Sequence, residues 1–251
     1  MASLKIAHLY PEVLNLYGDR GNILCLEKRL SWRGIDFVSD KILLGDARSL
    51  ADYDLLFIGG GQDIDQEVLT AELHGGRGDE IREAVEDGKV FLCICGGYQI
   101  MGHYYETHDG QRQELLGVVD LYTKGGNERL IGNYIFDLEE ESGGGTVVGF
   151  ENHSGRTVLG EGVKPLGRIR KGFGNNGKDG TEGVRYKNLF GSYCHGPVLP
   201  KNPAFCDFLL QTALERKYGS FTLEPLDDTI ELLAHDTVIG SILNGTAGKD
   251  E

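Results

Sequence analysis

At 251 residues the chain is long enough to bury a full core as one large domain. It carries 25 Lys+Arg against 39 Asp+Glu, a net charge of −14, which disfavours nucleic acid and anionic membrane as partners. There is no bilayer-spanning apolar run and no signal-peptide pattern, and five scattered cysteines (25, 93, 95, 194 and 206) fit a reducing cytoplasm better than a disulfide framework.

The predicted elements alternate through the first hundred residues. Leu4 to Leu9 reads as a strand, Gly21 to Arg33 as a helix, Ile35 to Val38 as a second strand, and Asp54 to Ile58 as a third that ends in Gly59-Gly60-Gly61. Asp63 to Asp87 is mostly helical, broken at Gly75-Gly76-Arg77-Gly78, and Val90 to Ile94 is a fourth strand. This order implies a mostly parallel sheet with helices on both faces. Beyond it, Leu115 to Tyr122, Arg129 to Leu138, Thr146 to Phe150 and Arg156 to Leu159 read as β-rich pieces. Lys171 to Gly183 is a loop dense in Gly and Asn with little to bury, and Val184 to Tyr193 is a strand. Pro203 to Tyr218 and Leu226 to Leu243 read as amphipathic helices, and residues 246–251 as a frayed tail. One domain with a mixed α/β sheet is the simplest architecture.

Cys95 stands at the sharpest point of this pattern. It follows a buried strand and precedes Gly96-Gly97 and the first turn of a helix. That strand-turn-helix geometry lifts a nucleophile out of the backbone and favours a thiolate. Cys93, inside the strand, reads as structural. A base is needed, and His195 closes a predicted strand just before Gly196-Pro197, at the same carboxyl end of the sheet. His153 is the runner-up, with structural hydrogen bonding near the pocket as its expected role. Gly60, Gly61 and Gly96 are the expected backbone donors to an oxyanion. No Walker A loop is present, and Cys93-x-Cys95 lacks the partners that a metal site needs, so neither a cofactor nor a metal is expected.

Together Ile58-Gly-Gly-Gly-Gln-Asp63, Cys95-Gly-Gly-Tyr-Gln99, Gly149-Phe-Glu-Asn-His153 and Gly191-Ser-Tyr-Cys-His-Gly-Pro197 resemble the glutamine amidotransferases of the cobyric acid synthase-like branch. Tyr10-Pro11, Asn15 to Asn22, Gly172 to Gly177 and Tyr186-Lys-Asn188 are similar to the free-standing glutaminase subunits of enzymes that amidate peptidoglycan lipid II. The resemblance implies a flavodoxin-like class I amidotransferase fold, with residues 1–245 as a single domain. It implies Cys95 as nucleophile, His195 as base, and Arg129 and Gln99 as residues that bind L-glutamine. It also implies a Mur ligase-like, ATP-dependent synthetase as partner, in the cytoplasm. Pro197 stands where the wider group has the Glu that orients its base. The orienting group stays open between a dyad, a carboxylate elsewhere such as Asp19, and a residue of the partner. Other readings are a glutaminase of another cobyric acid synthase-like enzyme, a different cysteine hydrolase of this fold, and a non-catalytic regulatory subunit.

Overall fold

The computed structural model describes residues 2–61, 69 and 71–245. Gln62, Asp63, the first part of the helix expected from Asp63, and the expected frayed tail lie outside the described residues.

Six strands form the central sheet: β1 (Ser3–Leu9), β2 (Asp36–Ile42), β3 (Leu55–Ile58), β4 (Val90–Ile94), β11 (Val184–Tyr186) and β12 (Leu189–Ser192). Their order is β11-β12-β4-β3-β1-β2, parallel throughout except for the antiparallel pair β11–β12. The chain leaves β1 for β2 on one side and returns to β3 on the other. Ligand sites in open α/β sheets gather at such a reversal, beyond the carboxyl ends of the strands. β3 and β4 are buried along their whole length, which is why they read as unbroken apolar runs.

The helices are α1 (Arg20–Trp32), α2 (Gly78–Glu86), α3 (Gly96–Ile100), α4 (Val198–Lys201), α5 (Pro203–Tyr218) and α6 (Thr229–Leu243). The helical path before α2 is broken where expected: within Leu73–Arg77, Gly75 (φ −86°, ψ 21°) and Gly76 (φ +100°, ψ −26°) leave helical geometry and kink the chain. The helix α5 buries Phe205, Cys206, Leu209, Leu210, Ala213 and Leu214 at helical spacing. Buried Arg29 of α1 donates to Asp207 of α5 at 2.6 Å and to Asp228 at 2.7 Å, which fixes the helix that starts beside Asp19.

Three expectations change. The β-rich stretch from 104 to 182 does not join the central sheet. It builds a second one from β5 (Tyr104–Glu106), β6 (Arg112–Glu114), β7 (Leu121–Leu138), β8 (Thr146–Leu159), β9 (Gly167–Lys171) and β10 (Thr181–Glu182). The pieces read separately at Thr146–Phe150 and Arg156–Leu159 are one strand, and the stretch from Leu115 to Val119 lies between strands. The single strand expected from Val184 to Tyr193 is a hairpin, turned at Lys187, which takes φ +53° without being glycine. The helix α6 is not amphipathic. Its apolar residues are spread around the axis, so Ile230 and Leu233 are exposed while Ile242 packs on Ile135 and Val148.

The loop at 171–183 also buries more than expected. Phe173 and Gly174 donate their N–H groups to the buried Glu151 carboxylate at 2.7 and 2.9 Å. Asn175 is fully buried. It donates to the Gly183 carbonyl, accepts from the Gly183 N–H, and accepts from the Tyr98 hydroxyl of α3. A side-chain amide with both ends used replaces the apolar burial that the composition lacks.

Candidate active site

Four loops meet at the carboxyl edge of the central sheet, each following a strand. They carry Asp19 after β1, Gly59 to Gly61 after β3, Cys95 after β4, and His195 after β12. Cys95 adopts φ 50° and ψ −106°, a conformation that costs a non-glycine residue roughly 1–3 kcal/mol and turns the side chain away from the sheet. Gly97 is what lets the helix start so close. A Cβ there would lie 2.6 Å from the Ile58 carbonyl oxygen. The Cys95 N–H donates to the Ser192 carbonyl at 2.8 Å, and His195 exchanges backbone bonds with Phe150 of β8. Cys95 and His195 are thus held by backbone bonds.

His195 and Asp19 are both fully buried, with His195 Nδ1 3.5 Å from Asp19 Oδ1. That is an ion-pair contact longer than an aligned hydrogen bond. The other Asp19 oxygen accepts the Gly60 N–H at 2.7 Å. Burial works against charge on the imidazole. The Cys95 thiolate and Asp19 outweigh it, and the His195 pKa is pushed up to about 10. The carboxylate beside the base therefore comes from the segment after β1. Gly21 makes room for this approach, since a Cβ on it would lie 2.4 Å from Pro197, the residue in place of the usual Glu.

The glycine turn has a different use from the one its sequence suggests. The N–H of Gly60 is taken by Asp19, so it is not available to an oxyanion, which leaves Gly61 and Gly96 of the three expected donors. A Cβ on Gly96 would lie 3.0 Å from the Gly61 nitrogen, so these two backbones run in contact. A Cβ on Gly60 would fall 2.6 Å from His195 Cε1, 3.3 Å from Asp19 Oδ2 and 3.4 Å from Cys95 Cβ. Gly60 touches all three groups. We expect Gly60→Ala to lower turnover at least about a hundredfold with an unchanged circular dichroism spectrum, since the methyl group displaces the imidazole. Turnover near wild type would mean that the ring need not sit there.

A cleft of about 590 Å³ opens over Cys95, lined by Tyr17, Gly61, Gln99, Arg129, Asn152 and His153 among others. Gln99 donates its amide to the Tyr193 hydroxyl at 3.0 Å. Arg129 reaches the cleft because β7 and β8 lose register between Gly125 and Leu130, a bulge that re-aims a side chain beside the site. Its Nε donates to Asn152 Oδ1 at 2.6 Å and its Nη2 to the Asn152 carbonyl at 3.0 Å. His153 is buried, stacked on Tyr193 at 3.6 Å, with Nδ1 2.8 Å from the Gly155 carbonyl oxygen. It also lines the cleft, and its Nε2 has no hydrogen-bond partner among the described residues. Behind the wall, Glu182 accepts from Ser192, Tyr193 N–H and Tyr134, and burial pushes its carboxyl up to about 7. Burial also pushes the Cys93 thiol well above its ordinary value, as suits a structural cysteine. Among the described residues no cluster of three or more His, Cys, Asp or Glu is placed to hold a metal. No helix among them is long and apolar enough to cross a membrane.

Sequence reading had raised Asp19 only as one option, and had not singled out Tyr17 or Asn152. The available signal was positional: Asp19 follows β1 as Cys95 follows β4.

The chain is similar to known proteins in sequence and in fold. Residues 5–203 match the CobB/CobQ-like glutamine amidotransferase domain. The chain is 42% identical over 239 residues to the GatD subunit of lipid II isoglutaminyl synthase (glutamine-hydrolyzing) from Staphylococcus aureus, covering 95% of this chain and 96% of that one. It is 43% identical over 217 residues to the subunit of the same name from Streptococcus pneumoniae, covering 86% and 82%. A probable cobyric acid synthase from Methanothermobacter thermautotrophicus is 37% identical over 202 residues, covering 74% of this chain but 38% of the relative. In fold, the chain is similar to a glutamine amidotransferase from Thermotoga maritima, with a TM-score of 0.54 at 17% identity over 96% of this chain and 94% of that one. The α/β architecture is that of the class I glutamine amidotransferases. A matched domain over most of its length, and relatives above 40% identity over most of both chains, place this chain among the CobB/CobQ-like glutamine amidotransferases, the family to which it belongs.

Proposed function

We propose that this chain is the glutaminase subunit of a lipid II-amidating enzyme. It hydrolyses L-glutamine to glutamate and ammonia, and passes the ammonia to a Mur ligase-like, ATP-dependent synthetase. That partner amidates the α-carboxyl of D-glutamate in the lipid II stem peptide. The observation that carries this reading is the match over more than four fifths of both chains to the two GatD subunits, 95% and 96% for one and 86% and 82% for the other, against a match to 38% of the cobyric acid synthase. The site supplies the chemistry.

In the mechanism, Cys95 Sγ attacks the side-chain carboxamide carbon of glutamine. The N–H groups of Gly61 and Gly96 hold the oxyanion, a contribution often near 3 kcal/mol per donor. His195 gives its proton to the departing nitrogen, and ammonia leaves a thioester on Cys95. A water molecule then attacks, with His195 as base, and releases glutamate. Arg129 pairs with the substrate α-carboxylate, and Gln99 forms the wall beside it.

The test is reconstitution of the chain with a Mur ligase-like synthetase, ATP, lipid II and amide-labelled glutamine. Label is expected in the α-carboxamide of the stem peptide by mass spectrometry. Unlabelled peptide, from an assembled complex that does amidate with ammonium salts, would remove lipid II and leave the amidotransferase chemistry alone.

A further inference from the structure

His195 is fully buried beside an open cleft, and Tyr17, which lines that cleft, packs against its ring. Tyr17 stands over His195 with ring centroids 4.8 Å apart and planes tilted by 63°, and its second ring neighbour is Phe150. The Tyr17 ring is itself 44% exposed. It sits at φ +52°, ψ 28°, a conformation that an L side chain rarely adopts. The surrounding turn holds it there: Leu16 N–H donates to the Gly60 carbonyl, and Asp19 N–H to the Leu16 carbonyl. A strained, partly exposed residue of the cleft wall thus packs edge-on against the imidazole.

Its hydroxyl is tied down. Asn152 Nδ2 donates to the Tyr17 hydroxyl at 2.6 Å, and Asn152 Oδ1 accepts from Arg129 Nε at 2.6 Å. A guanidinium only donates, so the amide orientation is fixed: oxygen toward Arg129, nitrogen toward Tyr17. The Nε and Nη2 positions of Arg129 both serve Asn152. The Nη1–Nη2 edge keeps the fork that matches a carboxylate. A carboxylate on that edge and Asn152 on the Nε–Nη2 edge would thus hold adjacent edges of one planar cation.

We propose that Tyr17 is a positioning residue for the reaction. Its ring is the cover that holds the His195 imidazole in place, and its hydroxyl is a latch that reads, through Asn152 and Arg129, whether an amino acid carboxylate is bound. This rests on the reading of Arg129 as the glutamine clamp. The relay gives the site a preference for free glutamine over amides without an α-carboxylate, because only the former steadies the latch.

The test uses the full chain and ammonia release from L-glutamine, with circular dichroism for each variant. Tyr17→Phe keeps the ring and loses the latch, so kcat falls about fivefold, the scale of one hydrogen bond, with little change in KM. Tyr17→Ala loses both and lowers kcat at least about tenfold, again with KM nearly unchanged. Asn152→Ala costs at least as much in kcat as Tyr17→Phe, because it also loses the Arg129 Nε contact, and the double variant Tyr17→Phe/Asn152→Ala costs no more than Asn152→Ala alone, since both remove the Tyr17–Asn152 bond. An unchanged kcat in Tyr17→Phe, or penalties that multiply in the double variant, would overturn the relay. Arg129→Ala separately raises the glutamine KM. An unchanged KM there would overturn the clamp on which the relay rests, whatever Tyr17 does.

Discussion

Cys95→Ser abolishes ammonia release from glutamine and leaves the fold intact, while Cys93→Ser keeps most of the activity. The two cysteines are two residues apart and differ in everything that matters. Cys93 lies inside β4, fully buried, where burial holds its thiol protonated. Cys95 stands at the strained turn after the strand, lines the cleft, and supplies part of the charge that keeps a proton on His195. A serine hydroxyl is far less acidic than a thiol and does not form the thiolate–imidazolium pair. The expected loss is several orders of magnitude in turnover, the scale seen when a nucleophile that acts as a unit with its base is removed. Ammonia assays and circular dichroism on both variants check it. Near-normal turnover in Cys95→Ser would return Cys95 to a packing role.

Asp19→Asn is expected to lower turnover at least about a hundredfold and to move the alkaline limit of kcat/KM to lower pH. The sign follows from the ring. In the proposed mechanism His195 gives a proton to the departing ammonia; its pKa is pushed up to about 10, so the proton is held below that range and lost as the pH rises through it. Asp19 is one of the charges that hold the proton, at 3.5 Å and without solvent between them. An amide in its place cannot hold that charge, so the proton is lost at lower pH. Asn also retains an oxygen for the Gly60 N–H, which keeps the turn and separates electrostatics from folding. A full pH–rate profile is the measurement. An unshifted alkaline limit with full activity would remove Asp19 from the site and return the orienting role to another group. His195→Ala, with no proton to give, should be at least as damaging at every pH.

The halves of this molecule differed in how far they could be read. The parallel sheet was legible because its strands are short apolar runs separated by helical spacing, and Cys95 because Gly96-Gly97 follows such a run. His195 was legible by the same logic, at the end of β12. Asp19 was not, because a lone acid in a polar segment carries no period. Its role comes from a loop crossing the Gly59–Gly61 turn, a contact between residues remote in sequence. The second sheet was hidden for a related reason. Alternation says which residues share a face but not which strand lies beside them, and the bulge at Gly125–Leu130 interrupts even that pattern in β7. The β11–β12 hairpin was missed because Lys187 occupies a left-handed position without glycine to mark it. The loop at 171–183 read as empty because its burial is polar: Asn175 and Glu151 do there what leucines do elsewhere.

The central claim is that Cys95 attacks the carboxamide carbon of glutamine with His195 and Asp19 behind it. The measurement that meets it most directly is covalent trapping with a glutamine-mimicking diazo ketone, followed by peptide mass spectrometry. The prediction is a single adduct on Cys95, suppressed by excess glutamine and slowed in Asp19→Asn. An adduct on another residue, or labelling of Cys95 that glutamine does not suppress, would contradict it.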